Sequence, residues 1–279
     1  MPPPLRLLVP AVIAAVAVVG CSATTHRAAR STGTPPPTTS APPSSGPKTS
    51  APTTSTAAKP APKRPTPRTT TTHRPPAEHP IRSNLPLRDS TGSARQVITV
   101  VAPSTSSTTA TVQAWNKSAN GWTRVGSAVP AHVGADGLST QPSETKSATP
   151  IGSFTLTQAF GSAANPGTKV PYFRTDASDW WVSDANSDLY NTHYRCSASC
   201  PFDTSAGENL LDAGFVYTYA LVIDYNRFPV HAGAGSAFFL HVTNGEATAG
   251  CVSIPEASLV SIMRWLSPSA RPRILIGTS

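Results

Sequence analysis

Large apolar side chains are almost missing from residues 22–95 of this 279-residue chain. A segment without them has nothing to bury and builds no core. Half of the 30 prolines lie in the same stretch, among Thr, Ser, Ala and basic residues, so residues 21–95 read as an extended, disordered tether with polyproline II character. Acidic residues are scarce there too. Over 22–95 Lys and Arg outnumber Asp and Glu 11 to 2, whereas over 96–279 the count is 10 against 12. The net charge of +8 therefore belongs to the tether. The remainder is slightly acidic and lacks the basic face that a nucleic-acid partner requires.

No apolar run is long enough to span a membrane. The longest, residues 7–19 after the single cation Arg6, falls short of the roughly 20 residues a bilayer helix needs and has the length of a signal-peptide core. It ends in Val18-Val19-Gly20-Cys21, which resembles the lipobox of bacterial lipoproteins. That resemblance implies a signal peptide over 1–20, a lipidated Cys21, and an exported protein anchored at the outer face of the cytoplasmic membrane, within reach of the cell wall.

Cysteine is also scarce, four in all. With Cys21 set aside as the anchor, three remain, an odd number for an exported chain. Cys196 and Cys200 share a short Ser/Pro-containing loop and can close a small disulfide if their Cα atoms come within about 4.4–6.8 Å. Two thiols without a second ligand pair make no tetrahedral metal site. Cys251 is left unpaired.

From Gln96 onward the pattern changes to short β-rich runs punctuated by Gly, Pro, Asn and Ser, the signature of a mainly β sandwich or barrel. Strands are expected over 97–101 and 110–115, with a hairpin turn at Asn120-Gly121, and again over 151–157, 180–182, 216–224, 237–242 and 273–276. Helical period appears only over 255–266. There Leu259, Ile262, Met263 and Leu266 share one face, and Pro255 stands at the start, where its missing N–H costs nothing.

One pair of residues carries candidate chemistry. An apolar strand ends at His241, a Gly-containing turn follows, and Cys251 comes ten residues later, so a hairpin-like return would set the imidazole beside the thiol. Acyl transfer through a thiol needs that pair, because a free Cys is mostly protonated at neutral pH and an adjacent imidazole generates the thiolate. Gly250, without a Cβ, lets a carbonyl approach the backbone N–H groups around Cys251, which would act as an oxyanion hole. The same residues also fit a satisfied structural His and a small buried thiol, and His231 is the rival base.

Gly235-Ser236-Ala237-Phe238-Phe239-Leu240-His241 followed by Thr248-Ala249-Gly250-Cys251-Val252-Ser253 is similar to the signature of L,D-transpeptidases with a YkuD-type catalytic domain. Residues 134–137, Ala148-Thr149-Pro150-Ile151-Gly152-Ser153-Phe154 and Leu189-Tyr190-Asn191 fit the same family. The resemblance spans residues 96–279 and implies a β-sandwich or barrel-like catalytic domain with one C-terminal helix. It further implies Cys251 as nucleophile and His241 as base, peptidoglycan stem peptides as substrates, 3→3 cross-links as product and carbapenem-type inhibitors. No metal or cofactor is required. Three features depart from the commonest pattern: the His-to-Cys gap is short, Ala249 replaces a His two before the cysteine, and Ser253 replaces an Arg or Asn two after it. An L,D-carboxypeptidase with the same acyl-enzyme and a non-catalytic anchored wall-binding module remain alternatives. Tyr190, Asn191, Tyr225, His231 and Ser253, with Trp180 and Trp181, are candidate pocket residues, although aromatics in a β domain are more often core.

Overall fold

A computed structural model of the chain describes residues 84–279. The expected signal peptide, the lipidated Cys21 and the tether up to residue 83 lie outside them. The chain forms β1 (Gln96–Ala102), β2 (Thr109–Ser118), β3 (Gly121–His132), β4 (Leu138–Ser139), β5 (Thr149–Pro150), β6 (Gly152–Thr155), β7 (Ala159–Gly161) and β8 (Tyr172–Arg174). An excursion follows: β9 (Asp179–Trp181), β10 (His193–Arg195), β11 (Glu208–Asn209) and a 3-10 turn, Gly214–Tyr217. Then come β12 (Ala220–Val222), β13 (Phe239–Val242), β14 (Val252–Ile254), helix α1 (Glu256–Trp265) and β15 (Arg273–Thr278). The architecture is mainly β with one C-terminal α-helix, as the sequence leads one to expect.

Ten strands form one sheet in the order β6-β15-β1-β2-β3-β14-β13-β12-β7-β8. Strand β6 is at one edge and β7 is next to the other, yet only residues 156–158 join them. Laid flat, eight strand spacings of about 4.8 Å would separate the two by about 38 Å. A three-residue link reaches only about 14 Å. The sheet must therefore curl into a barrel-like wall. Its inner face carries Ile98, Leu221, Leu240, Val252, Ile254 and Ile274, closed by Leu259, Ile262, Met263 and Leu266 of α1.

The outer face of β12 and β13 buries a second cluster, Phe160, Trp181, Leu210, Tyr217, Val222, Phe239 and Cys251, to which the excursion contributes Trp181, Leu210 and Tyr217. A three-stranded sheet, β10-β9-β11, frames that excursion. Its pin is the fully buried Asp179, whose carboxylate accepts from His193 Nε2 at 2.8 Å and from Arg195 Nη1 at 2.7 Å. Cys196 and Cys200 are joined in a disulfide with Cα atoms 5.6 Å apart.

Three local expectations are corrected. Residues 216–224 are not one strand: the 3-10 turn occupies the start, entered from Gly214 at φ +67°, and β12 begins at Ala220. The β2–β3 hairpin turns on Ala119-Asn120, because Ser118 pairs with Gly121. Gly121, at φ +115°, is already in the strand, and a Cβ there would stand 2.9 Å from Asn84 Oδ1. The third concerns where order begins. Asn84 brackets Trp122, accepting its N–H at 2.8 Å and donating to its carbonyl at 2.7 Å. Leu85, Leu87 and Ala94 are buried with Val97, Trp115, Trp122 and Leu275. The packed domain thus begins at least twelve residues before Gln96 (84 to 95 inclusive); Leu85 and Leu87 are too few to show in composition, but each finds an apolar seat.

A chain beginning at Gln96 is accordingly expected to melt lower than one beginning at Asn84. Burying a leucine contributes roughly 1.5–3 kcal/mol, partly offset by the entropy of ordering the segment, and a drop of roughly 5 °C or more should result. Equal melting temperatures would show that the segment contributes nothing.

Candidate active site

Side chains alternate across a strand. In β13, Leu240 and Val242 face the barrel core, so Phe239 and His241 face the outer cluster. In β14, Val252 and Ile254 face the core, which leaves Cys251 and Ser253 outward. The two strands are parallel, with Leu240 opposite Val252 and His241 opposite Ser253. This corrects the expected hairpin-like return. Parallel register sets Cys251 level with Phe239, two residues short of His241, and the thiol and imidazole are not hydrogen-bonded to each other.

The Cys251 thiol is buried over the start of β13. Its sulfur accepts the Phe239 N–H at 3.3 Å and donates to the Ala237 carbonyl at 3.4 Å. Burial, and then the charge of Glu208, push its pKa up to about 12, against the Phe239 N–H and the Tyr217 hydroxyl, which favour the thiolate. The thiol is therefore neutral at physiological pH in this arrangement.

His241 donates from Nδ1 to the Val242 carbonyl at 2.9 Å. A carbonyl only accepts, so the proton sits on Nδ1 and Nε2 is left with its lone pair. Burial lowers the imidazole pKa, against that backbone bond. The orienting group of this histidine is thus a backbone carbonyl, which no side-chain motif announces.

Tyr217 joins the two. Its ring meets His241 edge-on with centroids 5.3 Å apart, and its hydroxyl interacts with the Cys251 thiol while donating to Glu208 Oε1 at 2.7 Å. Both residues were absent from the sequence-based candidates. Tyr217 lay inside an expected strand, and Glu208 sits in a Gly/Ser-rich stretch without periodicity.

The upstream motif segments converge on the cysteine backbone. Thr149 Oγ1 accepts the Gly134 N–H at 2.8 Å and donates to the Cys251 carbonyl at 3.1 Å. Thr248 Oγ1 donates to the same carbonyl at 2.7 Å and accepts the Gly250 N–H at 3.1 Å. The Gly250 N–H is therefore engaged with Thr248, so it is not free for the oxyanion role the sequence suggested. What demands glycine there is φ +135° and crowding: a Cβ would stand 2.8 Å from Phe238 Cε1 and 3.2 Å from the Ala148 carbonyl.

The other candidates divide. Asn191, at φ +57°, spends its side chain on the frame: Oδ1 accepts from Trp181 Nε1 at 2.9 Å and from the Ala237 N–H, and Nδ2 donates to the carbonyls of Tyr225 and Asn226. Tyr190 is buried and donates to Glu144. Tyr225 donates to the Ala234 carbonyl and packs edge-on against Phe154 and Phe238. Trp180 donates to the Cys196 carbonyl. His231 is exposed and is tied down through its backbone N–H to Asn226, not brought to Cys251. Ser253 lies beside His241, fully buried, with no partner for its hydroxyl.

Neither the curated proteins nor the solved structures contain a match to this chain. The family model of the YkuD L,D-transpeptidase catalytic domain matches residues 95–275, which takes in every strand from β1 to β14, the helix and the first half of β15. That match covers well over half of the chain, and the chain belongs to the YkuD family of L,D-transpeptidase catalytic domains.

Proposed function

We propose that this protein is an exported L,D-transpeptidase that forms 3→3 peptidoglycan cross-links through a thioester on Cys251. The observation that carries the proposal is the placement, on one face of adjacent parallel strands, of the one free thiol among the described residues and a neutral imidazole whose Nε2 is unbonded. The thiol attacks the carbonyl of the third residue of a tetrapeptide stem, and its proton passes to His241 Nε2. The imidazolium then protonates the departing D-Ala amine, leaving the thioester. A side-chain amine of a second stem attacks that thioester, gives up its proton to His241, and restores the thiol. Carbapenem-type inhibitors acylate the same sulfur. Export through residues 1–20 and a lipid on Cys21 would place the domain on a tether of some 70 residues, able to reach on the order of 200 Å when fully extended.

Purified tetrapeptide muropeptides should give dimers joined between third residues, with D-Ala released. A bound amine presents a high effective molarity to the thioester and outruns water. A second reading, L,D-carboxypeptidase, is favoured by Ala249 and Ser253, which flank the nucleophile where an acceptor would pass. If tripeptide monomers alone accumulate at high acceptor concentration, the second reading replaces the first.

A further inference from the structure

Glu208 stands on β11, opposite Trp181 of β9, and no cation pairs with it among the described residues. Its Oε1 receives the Tyr217 hydroxyl at 2.7 Å. Tyr217 and Cys251 pack in the same buried cluster, where the hydroxyl bears on the thiol, and the same ring lies edge-on to His241. A tyrosine hydroxyl has one proton to give. Donated to the Glu208 carboxylate, it is only weakly available to a sulfur anion.

We infer that Glu208 is a positioning residue of the Cys251–His241 centre: it draws the single Tyr217 hydroxyl proton away from the thiol, so that Tyr217 stabilises the thiolate fully only when the carboxylate is neutralised. This rests on Cys251 being the reactive group. Two anions compete for one donor. While Glu208 is ionised, a thiolate at Cys251 has the Phe239 N–H but only a share of the phenol, and it faces a like charge. When Glu208 takes up a proton, the hydroxyl turns to the sulfur, and the charge opposing it is gone. Burial raises the Glu208 pKa and the Tyr217 bond lowers it, which keeps the neutral carboxyl accessible. The titratable groups facing Cys251 are Glu208 from β11, Tyr217 from the 3-10 turn and, across Tyr217, His241 from β13. The arrangement also suits an exported free thiol, since oxidation follows thiolate character.

The test is alkylation of Cys251 in the intact protein by iodoacetamide, followed on the Cys251 peptide by mass spectrometry so that Cys21 does not contribute. Glu208→Gln keeps an acceptor oxygen but loses the charge, and below the thiol pKa the rate tracks the thiolate fraction. At pH 8 the variant should react about threefold faster or more, the gain expected from half a pK unit. Tyr217→Phe removes the shared donor, so in that background Glu208→Gln should give less than half of the logarithmic gain. A slower Glu208→Gln variant would mean that the carboxylate accepts the thiol proton instead, and would overturn the inference. So would an unchanged rate, or an undiminished gain without the Tyr217 hydroxyl. Folding is not at risk: because the folded-state pKa of Glu208 is raised, its stabilising contribution is present at low pH and lost as pH rises through that pKa, so the uncharged variant should be at least as stable at pH 7. Alkylation needs no peptidoglycan substrate. Absence of transpeptidation with the predicted alkylation pattern would refute the proposed reaction and leave Glu208 in this role, whereas an inert Cys251 in every variant would overturn both.

Discussion

Replacing Cys251 with alanine is expected to abolish D-Ala release and cross-linking, by at least about 10⁴-fold in kcat. The proposed reaction passes through a bond to that sulfur, and no other described cysteine is free to form it, since Cys196 and Cys200 are joined. The fold should survive. The thiol is one small group in a cluster built mainly on Phe160, Trp181, Tyr217 and Phe239, and losing it leaves a minor cavity and frees the Phe239 N–H, at a cost of about 1–2 kcal/mol. A single cooperative transition by circular dichroism would show this. Intact-protein mass spectrometry gives the companion result: a carbapenem adduct on the wild type and none on Cys251→Ala. Activity within tenfold of wild type in that variant would remove Cys251 from the mechanism.

His241→Ala should lower kcat/KM by about 10²–10⁴-fold, the usual contribution of a positioned general base. His231→Ala should stay within about twofold, because the exposed His231 is not brought to the thiol and a surface group of this kind contributes little. The reverse ranking would transfer the base role to His231. The pH profile offers an independent check. Burial depresses the His241 pKa, so the imidazole stays neutral below the ordinary histidine range, and activity should persist as pH falls through about 6.5. Stability has a matching sign: as pH drops below the unfolded-state value, the unfolded chain takes up a proton that the folded site refuses, so this residue's stabilising contribution declines toward acid. An acid limb at or above the ordinary histidine value would contradict a buried base.

Much of the wall was legible in the sequence. Strands β1 and β2 stand in the β-rich runs read from the sequence, and α1 begins one residue after Pro255 and carries its buried Leu259, Ile262 and Met263 on the expected face. Each of these is decided by neighbours within a turn or a strand length. Very short strands were harder. Strands β7, β8, β10 and β11 have two or three residues each, too few for a period, and they hold strand geometry only because a partner supplies hydrogen bonds.

Composition and local pattern by themselves determined that a Pro-rich basic stretch precedes a mainly β domain, that one helix stands near the C-terminus of that domain before a last strand, and that a lone Cys follows a His by ten residues. Only the tertiary structure decided how those two meet. Parallel pairing of β13 and β14 offsets Cys251 from His241, and register depends on long-range hydrogen bonding that ten residues of sequence do not specify. Thr149, 102 residues away, pins the cysteine carbonyl. The Val242 carbonyl fixes the imidazole. Glu208 and Tyr217 arrive from the excursion to bear on the thiol. Their chemistry comes from burial, which removes water, lets one carboxylate's charge act on one sulfur, and leaves one hydroxyl proton to be shared. Burial is a property of the assembled cluster, not of any segment read alone.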